Sequence, residues 1–171
     1  MNLSKITLKF LSLIVLVIAL SSIIIFFTLP KEKASAPTPM SYRTNIFEDA
    51  QRNQNFRRVL FTGPKSQLVL MSVPPGGEVG EETHKYTEQT LFFLSGRGEG
   101  ELNNKKFSIV PGDVVVVTAG TKHNFRNIGT EDLKIYTVYS PPNHIDGRIH
   151  PTKADADADT ADEAIGESAP H

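Results

Sequence analysis

The feature that most constrains the fold is a series of six short segments rich in β-branched and aromatic residues, each bounded by turn residues. They cover residues 56–61, 67–73, 90–96, 105–110, 113–118 and 133–140. Short strands at a spacing of roughly 8–12 residues are typical of β-sandwiches and barrels, and closure into a barrel removes exposed strand edges. Within this domain, residues 45–53 could form one short helical or irregular turn. The pattern predicts an all-β domain.

Composition divides the chain into four parts. We predict an N-terminal hydrophobic segment at 1–30, a linker at 31–41, the β domain at 42–153 and a disordered acidic tail at 154–171. The tail carries six acidic residues, no Lys or Arg, and little apolar surface to bury. Its alternating Asp-Ala run could bind calcium weakly, but a solvated tail is the simpler interpretation.

The N-terminal segment has the length of a membrane span. Residues 10–29 are twenty consecutive residues without a charge, and a helix of that length is about 30 Å long, the thickness of the hydrocarbon core. We predict a single-pass membrane helix with the β domain outside the cytoplasm. A cleaved signal peptide ending near Ala34-Ser35-Ala36 is the alternative. Initiation at Met40 would instead give a cytoplasmic protein.

Charge and cysteine content exclude several classes of function. The formal net charge is −1 and no basic cluster stands out, so a nucleic-acid partner is not expected. The chain has no cysteine, which excludes a disulfide, a thiolate metal site and a cysteine nucleophile.

A cluster of polar residues in the segment GEETHKYTEQT predicts a metal site. Glu82 and His84 lie two residues apart, so on a strand they share one face. Gln89 begins the next strand, and His123 follows a glycine turn further along the chain. Together these four residues could surround a divalent ion inside a barrel. If the strand register slips by one residue, Glu88 replaces Gln89 as the ligand.

Two gapped patterns in the sequence resemble the paired motifs of the cupin superfamily. The first pattern consists of Gly76, Glu82, His84, Gln89 and Gly96, and the second of Gly112, Thr118, Gly120, His123 and Asn127. The spacing matches in both, although Glu82 stands where cupins usually have His, Gln89 where they have Glu, and Thr118 where they have Pro. Over residues 42–153 the chain looks like the small bacterial single-domain cupins labelled as similar to mannose-6-phosphate isomerase.

The resemblance implies a double-stranded β-helix, which is a jelly-roll barrel, and a divalent metal ion such as Zn, Fe, Mn or Ni. The ligands carried over are Glu82, His84, Gln89 and His123. Glu82 replaces a His and Gln89 replaces a Glu, so the set keeps one negative charge. Zinc-dependent phosphomannose isomerases of the superfamily likewise bind their metal with one Gln, one Glu and two His. The resemblance also implies a small-molecule ligand and a homodimer.

Several functions fit this pattern. An isomerase-like enzyme acting on a small oxygenated molecule, such as a sugar or an organic acid, is the first, and an iron-dependent dioxygenase is the second. A non-catalytic binding or sensing module displayed from the membrane and a structural protein with an empty site are the others. Catalysis needs a proton-transferring base, and the sequence offers only weak candidates, Glu82 if it binds no metal and His150. The segment that carries His150 either crosses the barrel mouth or, as we favour, packs on the sheet as a surface arm.

Overall fold

The computed structural model describes residues 41–167. The first element of this part is a short helix, α1 (Ile46–Arg52), where the sequence allows a helical or an irregular turn. Asn45 caps it, and its side chain accepts a hydrogen bond from the Glu48 amide. The strands that follow are β1 (Arg57–Thr62), β2 (Gln67–Val73), β3 (Glu88–Ser95), β4 (Gly98–Leu102), β5 (Lys105–Ile109), β6 (Val114–Val117), β7 (His123–Asn127), β8 (Leu133–Ser140) and β9 (Ile149–His150). Two further helices are α2 (Lys153–Asp157) and α3 (Thr160–Glu167).

The strands form two antiparallel sheets. One has the order β6-β3-β8-β2-β1-β9 and the other the order β5-β4-β7. Isolated bridges from Glu78 to Arg126 and from Glu82 to His123 tie the connection between β2 and β3 to β7. The prediction of an all-β jelly roll is therefore confirmed for the described residues.

The hydrophobic core lies between the sheets. In β3 the residues alternate, so that Gln89, Leu91 and Phe93 are buried, whereas Glu88 is exposed. The same alternation places Val69, Met71 and Val73 of β2 in the core. Gln89 therefore faces the interior in line with the core residues, and the alternative register with Glu88 inside is wrong.

Three strands escape the sequence patterns. β4, β7 and β9 carry glycine, charged or amide residues where β-branched ones would have signalled a strand. In β4, Gly100 is needed because a Cβ atom there would lie 2.4 Å from the Phe107 ring. Packing against the neighbouring strand overrides local strand propensity at this position.

The prediction of a disordered tail is wrong for residues 154–167. This segment forms α2 and α3, and Thr152 and Asp155 make a capping box at the start of α2. Asp162 of α3 is 1% exposed and pairs with Arg57 of β1. A long-range ion pair therefore stabilises a segment whose composition suggests disorder, while residues 168–171 lie outside the described part.

The predicted membrane span at 10–29 and the linker up to residue 40 also lie outside the described residues. Within residues 41–167 no helix is both long and apolar enough to cross a bilayer. The N-terminal anchor stays a prediction.

Candidate metal centre and its pocket

The bridge between Glu82 and His123 assembles three of the predicted ligands. The Glu82 amide donates to the His123 carbonyl and the His123 amide to the Glu82 carbonyl, both over 2.9 Å. His84 lies two residues beyond Glu82, and the Gly120 amide donates to its carbonyl at 2.8 Å. Thr83 and Lys85, on either side of His84 in the sequence, are exposed. Glu82 and His84 therefore share the inward face, as predicted from their spacing.

The three side chains converge on one point. One ligand atom from each of Glu82, His84 and His123 lies within 4.8 Å of the other two. Glu82 Oε2 is 3.4 Å from His84 Nε2 and 3.7 Å from His123 Nε2. These three atoms are buried without a hydrogen-bond partner, which is the arrangement expected of a cation cage.

The ionisation of this group suits a bound cation. Burial would raise the pKa of the Glu82 carboxyl, but His84 and His123 lower it below its ordinary value. Burial lowers the pKa of His123. A carboxylate next to a neutral imidazole is the protonation state that metal binding requires.

A hydrogen bond fixes the tautomer of His123. Its Nδ1 lies 2.9 Å from the Thr121 carbonyl oxygen, which can only accept. The proton is therefore on Nδ1, and the lone pair is on Nε2, which lies 3.7 Å from Glu82 Oε2. A backbone carbonyl that orients an imidazole in this way is a common feature of metal-binding histidines.

Gln89 contributes a fourth unpaired atom. Its side chain is fully buried, and its Nε2 donates to the Tyr139 hydroxyl at 2.9 Å. Its Oε1 is buried and has no hydrogen-bond partner. Each of the four predicted ligands thus buries one polar atom without a partner. Such atoms are rare and cost about 1–3 kcal/mol each, so the donor set fits a divalent ion.

A pocket of about 380 Å³ opens beside this centre. Glu82 and His84 lie at one side, and residues from α2 and α3, including Asp162 and Gly166, form part of its wall. Gly166 packs closely on Asn143, since a Cβ atom there would lie 2.9 Å from the Asn143 amide nitrogen. The segment predicted to be disordered therefore helps to enclose the pocket.

Sequence reasoning missed a buried charged cluster in this wall. Asp162 Oδ2 accepts hydrogen bonds from Arg57 Nη2 at 3.0 Å and from His144 Nδ1 at 2.8 Å. Asp162 Oδ1 accepts from the Ile145 amide at 2.8 Å. No local sequence signal identifies this cluster, because Arg57 and Asp162 are 105 residues apart.

His150, the candidate base named from the sequence, does not line this pocket. It lies in β9, which pairs with β1 at the sheet edge. Its Nε2 contacts Asp159 at 3.0 Å and its Nδ1 accepts from Arg57 at 3.4 Å. Nδ1 of His150 thus contacts β1 and Nε2 contacts the turn before α3. The favoured surface arm describes the segment only in part, because Asn143, His144 and Lys153 of the same segment line the pocket.

The fold and the site together define a small antiparallel β-barrel protein with an inward-facing Glu/His/His cluster. Residues 69–139 match the family model described as the cupin domain. The chain belongs to the cupin superfamily.

Its relatives include proteins from bacteria and a virus. YrkC of Bacillus subtilis, an uncharacterized protein, is 38% identical over 124 residues, which cover 69% of this chain and 67% of that protein. Another uncharacterized protein, L612 of Acanthamoeba polyphaga mimivirus, is 36% identical over 112 residues, covering 63% of this chain and 70% of the relative. A crystal structure of a Bacillus halodurans protein superposes with a TM-score of 0.69 at 35% identity, covering 73% of this chain and 99% of that one. The narrower resemblance to cupins labelled as isomerase-like stays a prediction.

Proposed function

We propose that this cupin binds a divalent metal ion through Glu82, His84, Gln89 and His123 and takes a small oxygenated molecule into the adjoining pocket. The observation that carries the proposal is the set of four buried polar atoms without hydrogen-bond partners, one on each of these side chains. A bound ion would satisfy the three atoms of Glu82, His84 and His123 that converge on one point, and we assign Gln89 Oε1 to the same coordination shell.

The donor set indicates the class of ion. Two neutral imidazoles, one carboxylate and one amide oxygen suit a first-row divalent ion, for example Zn, Fe, Mn or Ni. Such an ion acts as a Lewis acid toward a hydroxyl or carbonyl oxygen. With a single carboxylate among the ligands, the loaded centre would keep a net positive charge, which favours an oxygen donor from a ligand.

The proposal covers an isomerase-like enzyme, an iron-dependent dioxygenase and a non-catalytic binding or sensing protein. We include membrane display through residues 10–29 in the proposal, on the basis of the apolar sequence there. The enzymatic forms need a base in the pocket, and the non-catalytic form does not.

Metal analysis of the purified full chain tests the proposal. Wild type is compared with the double variant His84→Ala, His123→Ala after growth with trace metals. The expected result is close to one ion per chain in wild type and a large loss in the variant. Equal, near-zero metal in both would overturn the proposal. Bound iron would favour oxygen chemistry, and bound zinc would favour an isomerase-like or binding role.

A second pair of variants distinguishes the loss of a metal ligand from the loss of a negative charge near the site. Glu82→Gln removes the carboxylate from the centre, whereas Glu81→Gln removes an exposed carboxylate that pairs with Lys122 at 2.8 Å. We expect a loss of metal affinity of at least about tenfold in Glu82→Gln, since loss of an outer partner alone costs about 10–100-fold. Glu81→Gln should bind metal as wild type does.

A further inference from the structure

A further buried imidazole lies close to the candidate metal centre. His144 is 6% exposed and lines the same pocket as Glu82 and His84. Its ring meets the Tyr139 ring edge-on at 4.9 Å, and Tyr139 meets the His84 ring at 5.7 Å. The Tyr139 ring therefore contacts both His144 and one of the predicted ligands, His84.

The proton on His144 can be placed from its partner. Burial would raise the pKa of the Asp162 carboxyl, but hydrogen bonds from His144 and Ile145 and the charge of Arg57 lower it to about 2. Asp162 is therefore an acceptor only, and the 2.8 Å contact requires a proton on His144 Nδ1. Burial lowers the pKa of His144, so at neutral pH the ring is neutral and Nε2 carries a free lone pair.

Two acceptor atoms in this wall have no donor. His144 Nε2 and Asn143 Oδ1 are both buried without a hydrogen-bond partner, and both residues line the pocket. An unpaired buried acceptor costs about 1–3 kcal/mol. The chemical complement of unpaired acceptors in a pocket wall is a ligand that donates hydrogen bonds, such as a molecule with hydroxyl groups.

Charge in the same wall disfavours an anionic ligand. The lining residues include two cations, and each pairs with an aspartate: Arg57 with Asp162 at 3.0 Å and Lys153 with Asp157 at 2.7 Å. Glu163 and Glu167 also line the pocket. Apart from the proposed ion, the described wall therefore offers no unpaired positive charge to a phosphate or carboxylate.

We propose that His144, oriented by Asp162, is the hydrogen-bond acceptor and base of this pocket, and that its ligand is a neutral molecule bearing hydroxyl groups. This inference rests on the proposed metal site. The hydroxyl proton of the ligand moves to His144 Nε2, and the electron pair of the broken O–H bond stays on the ligand oxygen. The imidazolium formed is stabilised by the Asp162 carboxylate, and the proton returns when the oxygen is released, as in other Asp–His pairs.

The test uses two neutral probes that differ in one donor. Glycolamide and its methyl ether, methoxyacetamide, can both reach the metal through two oxygen atoms, but only glycolamide carries a hydroxyl proton. Both are titrated into the full chain loaded with cobalt(II), with binding followed in the visible spectrum. For each protein we take the ratio of its affinity for glycolamide to its affinity for methoxyacetamide. This ratio should be about fivefold higher in wild type than in His144→Asn, which is the contribution expected of one hydrogen bond.

His144→Asn is chosen because its amide N–H can still donate to Asp162, while no atom replaces Nε2. Asp146→Asn, an exposed change two residues from His144 and outside the pocket lining, is the control and should keep the preference of wild type. Both variants should bind cobalt as wild type does, because neither residue is a proposed ligand.

Each outcome bears on a separate claim. If wild type takes up no cobalt, the proposed metal site is overturned, and this inference falls with it. If wild type binds cobalt but neither probe, or if the preference is equal in wild type and His144→Asn, the inference alone is overturned. Loss of cobalt in His144→Asn would also overturn it, since His144 would then be a metal ligand.

A measurement on wild type needs no variant. In nitrogen-15 spectra of histidine-labelled protein, His144 should carry its proton on Nδ1 and none on Nε2, and the Nε2 signal should shift when glycolamide is added to the zinc-loaded chain. A proton on Nε2 in the free protein, or no shift on adding glycolamide, would contradict the inference.

Discussion

Replacement of Asp162 by Asn should destabilise the protein strongly and in a pH-dependent way. Asp162 is 1% exposed and holds Arg57, His144 and the Ile145 amide together. Asp162→Asn leaves the Arg57 guanidinium buried without its counter-charge. Breaking a buried ion pair by removing one partner costs about 3–5 kcal/mol, and because Asn keeps part of the hydrogen bonding we expect about 3 kcal/mol at pH 7.

The pH dependence follows from the pKa of Asp162. Its ordinary value of 3.8 falls to about 2 in the folded chain, so the folded state holds the carboxylate in preference to the acid. The stabilisation is complete above about pH 5 and is lost progressively as the pH falls through 3.8 and then 2. This difference in pKa corresponds to about 2 kcal/mol. The gap in unfolding free energy between wild type and Asp162→Asn should therefore narrow by about that amount toward pH 2.

Urea unfolding of the full chain between pH 2.5 and 7 measures both effects. Glu163→Gln is the matched control, since Glu163 is the exposed neighbour of Asp162 on α3, and it should change stability by less than about 0.5 kcal/mol. The reasoning would be refuted if the unfolding free energies of wild type and Asp162→Asn differed by less than about 1 kcal/mol at pH 7. It would also be refuted if the difference were the same at pH 7 and pH 2.5.

Three further predictions concern the metal, the barrel and the N-terminus. Removal of metal with a chelator should lower the melting temperature of wild type and leave that of the double variant His84→Ala, His123→Ala unchanged, because an ion at a hundredfold its Kd stabilises the folded state by about 2.7 kcal/mol; equal shifts would contradict this. Gly100→Ala should destabilise the protein by about 1–3 kcal/mol in thermal unfolding, because the new Cβ would lie 2.4 Å from Phe107. Gly112→Ala is the comparison, since a Cβ there meets no atom within 4 Å but the residue has a φ of +95°. This second variant would show the effect of backbone strain alone. Immunoblots should find the full-length chain in the membrane fraction, since residues 10–29 carry no charge; a shortened, soluble product would contradict the anchor.

The sequence sufficed for the parts of the site that depend on local periodicity. Glu82 and His84 lie a pleat apart, so their common face follows from strand geometry alone. For the next ligand the sequence left Gln89 and Glu88 as alternatives, and the burial pattern of β3 decides in favour of Gln89. His123 is distant in sequence, and it was found because a gapped pattern that ends at Asn127 links it to the first motif.

The part that could not be predicted depends on long-range contacts. Residues 154–167 have the composition of a solvated tail, yet Asp162 is buried against Arg57 and His144. A charged residue in an acidic run shows by itself no sign of being buried. The pairing of Arg57 with Asp162 exists only once β1 and α3 are side by side, so no window of neighbouring residues reveals it.

The central claim is that one divalent ion occupies the point shared by Glu82, His84 and His123, with Gln89 as the fourth ligand. Anomalous diffraction from crystals of the zinc-loaded chain, recorded on both sides of the zinc absorption edge, tests this claim most directly. We predict one strong peak about 2.0–2.2 Å from Nε2 of His84, Nε2 of His123 and the Glu82 carboxylate. Gln89 Oε1 should lie in the same coordination shell. A peak elsewhere, or none at full zinc loading, would contradict the account.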